Sequence, residues 1–503
     1  MTKYENKTQS DIPFAPTVIE LSPVPTIELA FSNLSHLPGC LLLESAKQLN
    51  NSNNQPLGRY SFLMADPFET VIEPVGSKRA FDRLKDLMGK YTCDPIPDLP
   101  PMQGGLAGLF SYDFNRSIEK ISPPKHDEFE LPAVVVGAYD TVVAWDHELN
   151  QAWIISQGFP ETEPAARKHH ADTRGKYFQT LLELGGLPSS SRFANAKCEP
   201  KVELSGSFDV TGPPGLQSNF SAEGYIQAVQ KCIDYIHAGD VFQINLTQRL
   251  IFPANCTGVE LYSRLRGCNP ATFGGFFDLS LMKDDLGCPT ADAQIISASP
   301  ERFFSVREGL VETRPIKGTR RRTGRPMVDI QAREELVASE KDRAENTMIV
   351  DLMRNDLSRV CLDDSISVTQ HCELEEYQSV LHLVSAVEGK LRPDCDMVDL
   401  LQAVFPGGSI TGAPKVRSME IISTLEPTAR GAYCGALGYL GFNGNADLNI
   451  LIRTITSSGG WWQIPVGGGI VSQSNPAQEH EETWTKAAGM LRAVTQNTAP
   501  NNR

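Results

Sequence analysis

The chain has 503 residues, 41% of them apolar, and a formal net charge of −15. That length supports a large core and more than one packed part; the charge argues against nucleic acid and membrane surfaces as partners and obliges any small anionic ligand to meet its own concentrated set of cations or a metal. No run reaches the roughly 18 apolar residues of a membrane span, Met1–Ala15 lacks the apolar core of a secretion signal, and the eleven cysteines are scattered without a C-x-x-C pair, as in a cytoplasmic protein with reduced thiols.

Residues 1–25 read as a disordered arm. From there to about residue 185 apolar runs alternate with turns: Leu41-Leu42-Leu43, Tyr60-Ser61-Phe62-Leu63, Gly105–Phe110, Ala133–Val136 and Ala152–Ile155 are expected strands. A helix is expected over 163–184. Residues 186–219, rich in Gly, Ser and Pro, read as a linker. After it, Ser221 can cap a helix whose residues Ile226, Val229, Ile233 and Ile236 share one face. Strands and helices then alternate to residue 495, and 496–503 form a tail. No repeat of fixed period is visible. The expectation is two closely packed parts, 26–185 and 220–495, with the chemistry in the second.

In chain order, the first chemical signal is Arg314-Pro315-Ile316-Lys317-Gly318-Thr319, followed by Arg320, Arg321, Arg322 and Arg325. The arginines read as a solvated loop. Lys317 lies between an apolar residue and a glycine turn, where neighbouring cations or burial can leave a usable free amine; a surface lysine is the plainer reading. The helix expected around Lys341–Arg359 puts Asp342, Glu345, Ile349 and Leu352 on one face. Carboxylates on an apolar stripe need an arginine partner or a metal. Gly407–Lys415 and Gly467-Gly468-Gly469 would let backbone N–H groups approach an anion, or are simply turns; the first lacks the spacing of a phosphate loop. Residues 448–455 read as one buried strand in which Arg453 needs an anion, either a substrate carboxylate or an internal one. Asn475-Pro476 starts a further helix. Glu479, Glu482 and Lys486 line up along it, as a solvated face or, together with the first helix, as a Mg²⁺ site.

Pro315–Thr319, Asp351-Leu352-Met353-Arg354-Asn355-Asp356, Thr411-Gly412-Ala413-Pro414-Lys415 and the closing Gly467–Gly469 with Glu482 resemble, in order, the motifs of the chorismate-utilising enzymes. That family includes the anthranilate, aminodeoxychorismate, isochorismate and salicylate synthases. The resemblance is strong over 220–495 and continues upstream in Leu42–Ala46, Gly58–Phe62 and Phe110–Asp113. It implies an α/β (α+β) fold of two large facing antiparallel sheets covered by outer helices. It implies Mg²⁺ on Glu345 and Glu482, with Glu479 and Asp342 around them. Gly318, Thr319, Thr411, Gly412, Lys415, Tyr433, Arg453, Gly467, Gly468, Gly469 and Lys486 match positions at the substrate. Glu301 matches the acid that helps the C4 hydroxyl leave, and His382 a histidine near the ring. Ser45 matches a tryptophan-binding position, whereas Phe273-Gly274 departs from the Pro-Tyr-Met found beside it in feedback-inhibited relatives.

Lys317 resembles the subgroup that aminates chorismate at C4: its amine would attack C2 and expel the C4 hydroxyl, and ammonia would then displace it from C4, giving the precursor of p-aminobenzoate and folate. The alternative is the subgroup with alanine there, in which ammonia reaches C2 and anthranilate results. Gln243 stands where isochorismate and salicylate synthases resemble one another in carrying a lysine that activates water. No cysteine sits in a glutaminase motif, so ammonia is expected from a separate glutaminase subunit or from solution.

Overall fold

The computed structural model describes residues 16–46, 49–50, 56–184, 200–284, 287, 291–376 and 380–496. Runs rich in Val, Ile and aromatic residues, such as Val134–Tyr139 and Thr141–Asp146, form strands because branched and aromatic side chains pack well on a pleated surface. The result is two large antiparallel sheets, of 13 and 10 strands. The larger runs from the edge strand Thr17–Glu20 through Gln151–Ser156, Thr141–Asp146, Tyr60–Met64, Leu41–Glu44, Phe273–Asp278, Ala293–Ser299, Thr454–Ser458, Trp461–Ile470 and Gln243–Pro253 to two short strands, Gln217–Ser218 and Phe208–Asp209. The smaller runs from Ile316–Arg321 through Val380–Lys390, Leu310–Thr313, Arg302–Arg307, Ala446–Ile450, Ala436–Gly441, Gly105–Phe110 and Val134–Tyr139 to Glu69–Glu73.

The sheets face each other. Leu41, Phe62, Phe277 and Ile295 of the larger share one buried cluster with Leu109, Val135, Leu437 and Tyr439 of the smaller. Phe62 meets Tyr439 edge-on across the gap, with ring centroids 5.5 Å apart. Helices cover the outer faces. Ala80–Lys90, Glu340–Ser358 and Met397–Val404 pack with the smaller sheet, and Ile27–Leu34, Pro164–Glu183, Gly258–Cys268 and Pro476–Thr495 with the larger. Among the described residues no helix is long and apolar enough to cross a membrane.

The chain crosses between the sheets at two points that bear on function. Residues 300–301 join Ala293–Ser299 of the larger sheet to Arg302–Arg307 of the smaller, and residues 451–453 join Ala446–Ile450 of the smaller to Thr454–Ser458 of the larger. The crossings are bonded to each other: Ile450 N–H donates to Glu301 O at 3.0 Å, and Ala298 N–H to Arg453 O at 3.1 Å.

Three expectations change. The strand expected over 448–455 is two strands in different sheets, because Arg453 adopts a left-handed φ of 53° and turns the chain; a continuous apolar run carries no mark of such a turn. The arm expected over 1–25 is structured from residue 16: Thr17–Glu20 pairs with Gln151–Ser156 at the edge of the larger sheet, and residues 1–15 lie outside the described residues. Of the linker expected over 186–219, residues up to 199 also lie outside them. From Pro200 onward it is tied down, with Trp461 Nε1 donating to Val202 O at 2.9 Å and Gln217–Ser218 extending the larger sheet. Of the tail, 497–503 lie outside the described residues.

The expected helices appear as Pro164–Glu183, Ala222–His237, Glu340–Ser358 and Pro476–Thr495. Ser221 caps the second, accepting from Gly224 N–H. Its buried face is centred on Tyr225, Val229 and Cys232, so Ile226 and Ile236 are only half-buried. Strands of the two expected parts interleave: Leu43 pairs with Gly275, and Gly108 with Gly438.

Candidate active site

A cavity of about 700 Å³ opens at the seam between the sheets. From the sequence-derived set it gathers Glu301, Lys317, Gly318, Thr319, Asp342, Glu345, His382, Tyr433, Arg453, Gly467, Gly468, Gly469, Glu479, Glu482 and Lys486, with Phe273 at one side.

Each wall has a local cause. Strand Ile316–Arg321 brings Lys317 to the cavity, and its register shift at Gly318, which has a φ of 74°, turns the chain past helix Glu340–Ser358. A Cβ on Gly318 would lie 3.0 Å from Asp342 Cγ, so glycine permits that approach. Helix Glu340–Ser358 starts at Ser339, whose side chain accepts from Asp342 N–H. Its first two turns hold Lys341, Asp342 and Glu345 against the cavity, while Ile349, Val350 and Met353 bury the rest of that side. Helix Pro476–Thr495 starts at Asn475, which accepts from Ala477 and Gln478 N–H, and presents Glu479, Glu482 and Lys486. Gly467–Gly469 face Asn245–Thr247 across a regular ladder. A Cβ on Gly468 would lie 3.2 Å from Lys486 Nζ.

Charges of both signs are close. Lys486 Nζ bonds Glu482 Oε1 at 2.8 Å and Gly467 O at 2.8 Å; Lys341 Nζ lies 3.9 Å from Glu479 Oε1; Arg320 reaches Asp342 Oδ2 at 3.2 Å. Burial raises the carboxyl pKa of Glu345, with Lys317 and Lys341 opposing and Asp342 and Glu479 reinforcing the rise. Burial also raises that of Glu479. At Glu482 the desolvation of the cavity wall is outweighed by Lys486, Lys341 and Lys317, which hold its carboxyl below the usual range.

Glu301 is buried in the cavity wall, and burial pushes its carboxyl up to about 7 against the pull of Lys317, Ser409 and the Ile316 N–H. Such a group is half-protonated near neutral pH, the condition for a general acid. Ser409 Oγ donates to Glu301 Oε1 at 2.9 Å, and Lys317 Nζ donates to Ser409 O at 3.3 Å. Thr319 Oγ1 lies 2.8 Å from His382 Nδ1. Arg453 donates to Lys486 O at 3.2 Å. Among the described residues no carboxylate forms an ion pair with it, and burial lowers its pKa against the nearby Tyr433 and Glu482. A guanidinium so placed suits an incoming carboxylate.

Three residues expected at the substrate lie outside this cavity, as does Ser45, which was expected at a separate tryptophan-binding position. Thr411 is buried and donates to Gly407 O at 3.0 Å. Gly412 pairs with Ile244, and a Cβ there would lie 2.1 Å from Gln243 O. Lys415 is half-buried in an ion pair with Asp356 Oδ2 at 2.6 Å, and it also donates to Val404 O. Ser45 donates to Tyr60 O and Thr272 O. The Gly407–Lys415 motif thus supplies the cavity through Ser409 and Ile410, residues that sequence reading passed over in favour of its more conspicuous Thr, Gly and Lys. Arg314, which heads the Lys317 motif but was given no role from sequence, lines the cavity paired with Glu375 at 2.5 Å.

No group of three or more His, Cys, Asp or Glu able to hold a metal is assembled among the described residues. Mg²⁺ needs only one or two protein carboxylates and takes its other oxygens from water and substrate. Glu345 and Glu482, on separate helices at one cavity, are hard oxygen donors of that kind.

Residues 39–492 match the chorismate binding enzymes. Aminodeoxychorismate synthase component 1 of Salmonella typhimurium is 37% identical over 495 residues, spanning 95% of this chain and 98% of its own length. Anthranilate synthase component 1 of Thermus thermophilus is 35% identical, spanning 91% and 92%. The crystal structure of anthranilate synthase component I from Streptococcus pneumoniae superposes with a TM-score of 0.71 at 28% identity, spanning 94% of this chain and 99% of that one.

Proposed function

The chain belongs to the chorismate binding enzymes, and from that premise we propose that it aminates chorismate at C4, forming 4-amino-4-deoxychorismate from ammonia supplied by a glutaminase partner. The observation that carries this reading is Lys317, whose Nζ stands in the same cavity as the buried Glu301 and is joined to it through Ser409. Arg453 and the N–H groups of Gly467–Gly469 would take the substrate carboxylates. Glu345 and Glu482 would hold Mg²⁺, with Glu479 and Asp342 behind them, and the ion would supply positive charge against a substrate carboxylate.

Lys317 attacks C2 as a free amine. The ring double bonds shift towards C4, and the C4–O bond breaks as Glu301 delivers its proton, so water leaves. Ammonia then attacks C4, the double bonds return, and the C2–N bond to Lys317 breaks. Two easier displacements replace one difficult one.

A second reading, amination at C2 to give anthranilate, is favoured by the Thermus thermophilus relative at similar identity. One assay decides between them: purified chain, chorismate, Mg²⁺ and ammonia, with the product identified by mass. 4-Amino-4-deoxychorismate, together with a chorismate-derived adduct on Lys317, is expected. Anthranilate as the main product, or full C4 amination by Lys317→Arg, overturns the proposal.

A further inference from the structure

We propose that Ser409 is a positioning residue that joins the acid to the nucleophile, its hydroxyl fixing Glu301 and its carbonyl fixing Lys317. The inference rests on the reading of Lys317 and Glu301 above and deepens it.

Ser409 lies in the 3₁₀ turn Gly408–Ile410, which is held from several sides. Thr411 Oγ1 donates to Gly407 O, and Arg430 Nη1 donates to Ile410 O at 3.1 Å. A Cβ on Gly408 would lie 2.5 Å from Leu352 Cδ2, so the turn sits hard against helix Glu340–Ser358. From this fixed backbone the Ser409 hydroxyl donates to Glu301 Oε1 at 2.9 Å, and the Ser409 carbonyl accepts from Lys317 Nζ at 3.3 Å. One residue therefore contacts both groups through different atoms.

The consequence is geometric first. A carboxyl with Oε1 committed to Ser409 must carry its transferable proton on Oε2. The carbonyl contact holds Lys317 along the same wall, so the amine and the acidic oxygen have a set separation. The hydroxyl also acts on acidity: a donor to the carboxylate favours its ionised form. The other groups facing Glu301 are Lys317 on strand Ile316–Arg321, the Ile316 N–H, and the Cys434 thiol beside Tyr433. None of them would replace the lost donor.

The test compares Ser409→Ala and Ser409→Thr with the unaltered chain. Ser409→Ala keeps the carbonyl and loses the hydroxyl. Its kcat should fall about tenfold or more with little change in the KM for chorismate, and the limb on which activity declines with rising pH should move to higher pH. Ser409→Thr, which keeps the hydroxyl, should restore most of the rate. In the free protein, the protonated-carboxyl infrared band that disappears in Glu301→Gln should titrate at higher pH in Ser409→Ala, a readout independent of turnover. An unmoved band and unchanged kcat in Ser409→Ala, while the unaltered chain still aminates C4, overturn the role of Ser409 alone. A change confined to KM overturns it too. Failure of the unaltered chain to aminate C4 overturns the earlier reading instead.

Discussion

Arg453 carries its left-handed backbone where the chain leaves the smaller sheet for the larger, and its guanidinium donates to the Lys486 carbonyl without an ion-pair partner among the described residues. Lysine would keep the charge and lose the planar fork that grips a carboxylate, so Arg453→Lys should lower kcat/KM for chorismate by about 10–100-fold; unchanged steady-state kinetics would make the residue structural. Glu301 predicts a pH dependence. Burial pushes its carboxyl up to about 7, and in the proposed mechanism it must be protonated to help the hydroxyl leave, so kcat/KM should fall as pH rises through about 7, and Glu301→Gln should abolish that limb and cost about 10²–10⁴ in rate. The sign for stability follows from the same proton. The folded carboxyl holds it up to about 7, whereas the ordinary value is 4.5, so this group favours the fold most fully below 4.5 and loses that contribution as pH climbs to about 7. Lys317 was legible because it stands in a distinctive short motif, and Glu301 only through the resemblance to the chorismate-utilising enzymes. Ser409 was not, because a serine inside a glycine-rich loop carries no mark of what its hydroxyl will meet.

The helices Glu340–Ser358 and Pro476–Thr495 were legible as elements, since caps and one-sided spacing of acids and apolar residues survive any tertiary context. Their convergence on one cavity was not, because it depends on which sheet each covers. Glu345 tests that convergence. Its ionised form is disfavoured by burial and by Asp342 and Glu479, so Glu345→Gln should leave the thermal midpoint unchanged or slightly higher while turnover in Mg²⁺ falls at least about 100-fold. Equal activity in limiting Mg²⁺ would remove it from the metal site. The buried pair Arg430–Glu426, 2.7 Å apart, makes the opposite case. Arg430 also donates to Ile410 O and Asn245 O, and Glu426 accepts from Thr247 N–H, so the pair ties together three segments around the cavity. Arg430→Met leaves a buried carboxylate unpaired and should cost about 3–5 kcal/mol in denaturant unfolding; a loss within experimental error would show that Glu426 finds another partner.

At the scale of the molecule, the interleaving of strands was hidden from sequence reading because pairing partners lie hundreds of residues apart, as Leu43 and Gly275 do. The two parts expected from the linker therefore do not correspond to two sheets. Residues 200–503 made alone would leave Phe273–Asp278 and Ala436–Gly441 without their neighbours Leu41–Glu44 and Gly105–Phe110. That fragment should show no cooperative melting by circular dichroism and should recover it when mixed with residues 1–199; a sharp transition in the fragment by itself would contradict the interleaving. The proposed ammonia supply is tested at this scale too: the purified chain should turn over chorismate with ammonia and gain activity with glutamine only when a glutaminase subunit is added.

The paired crossings at 300–301 and 451–453 have a thermodynamic corollary. Because the cavity is bounded by both sheets, it exists only when they are closed on each other, and a ligand held between Arg453 and the Glu301 wall binds the closed chain alone. Chorismate at a hundredfold excess over its Kd should then add about 2.7 kcal/mol to the closed state, and amide hydrogen exchange should slow in strands of the two sheets together.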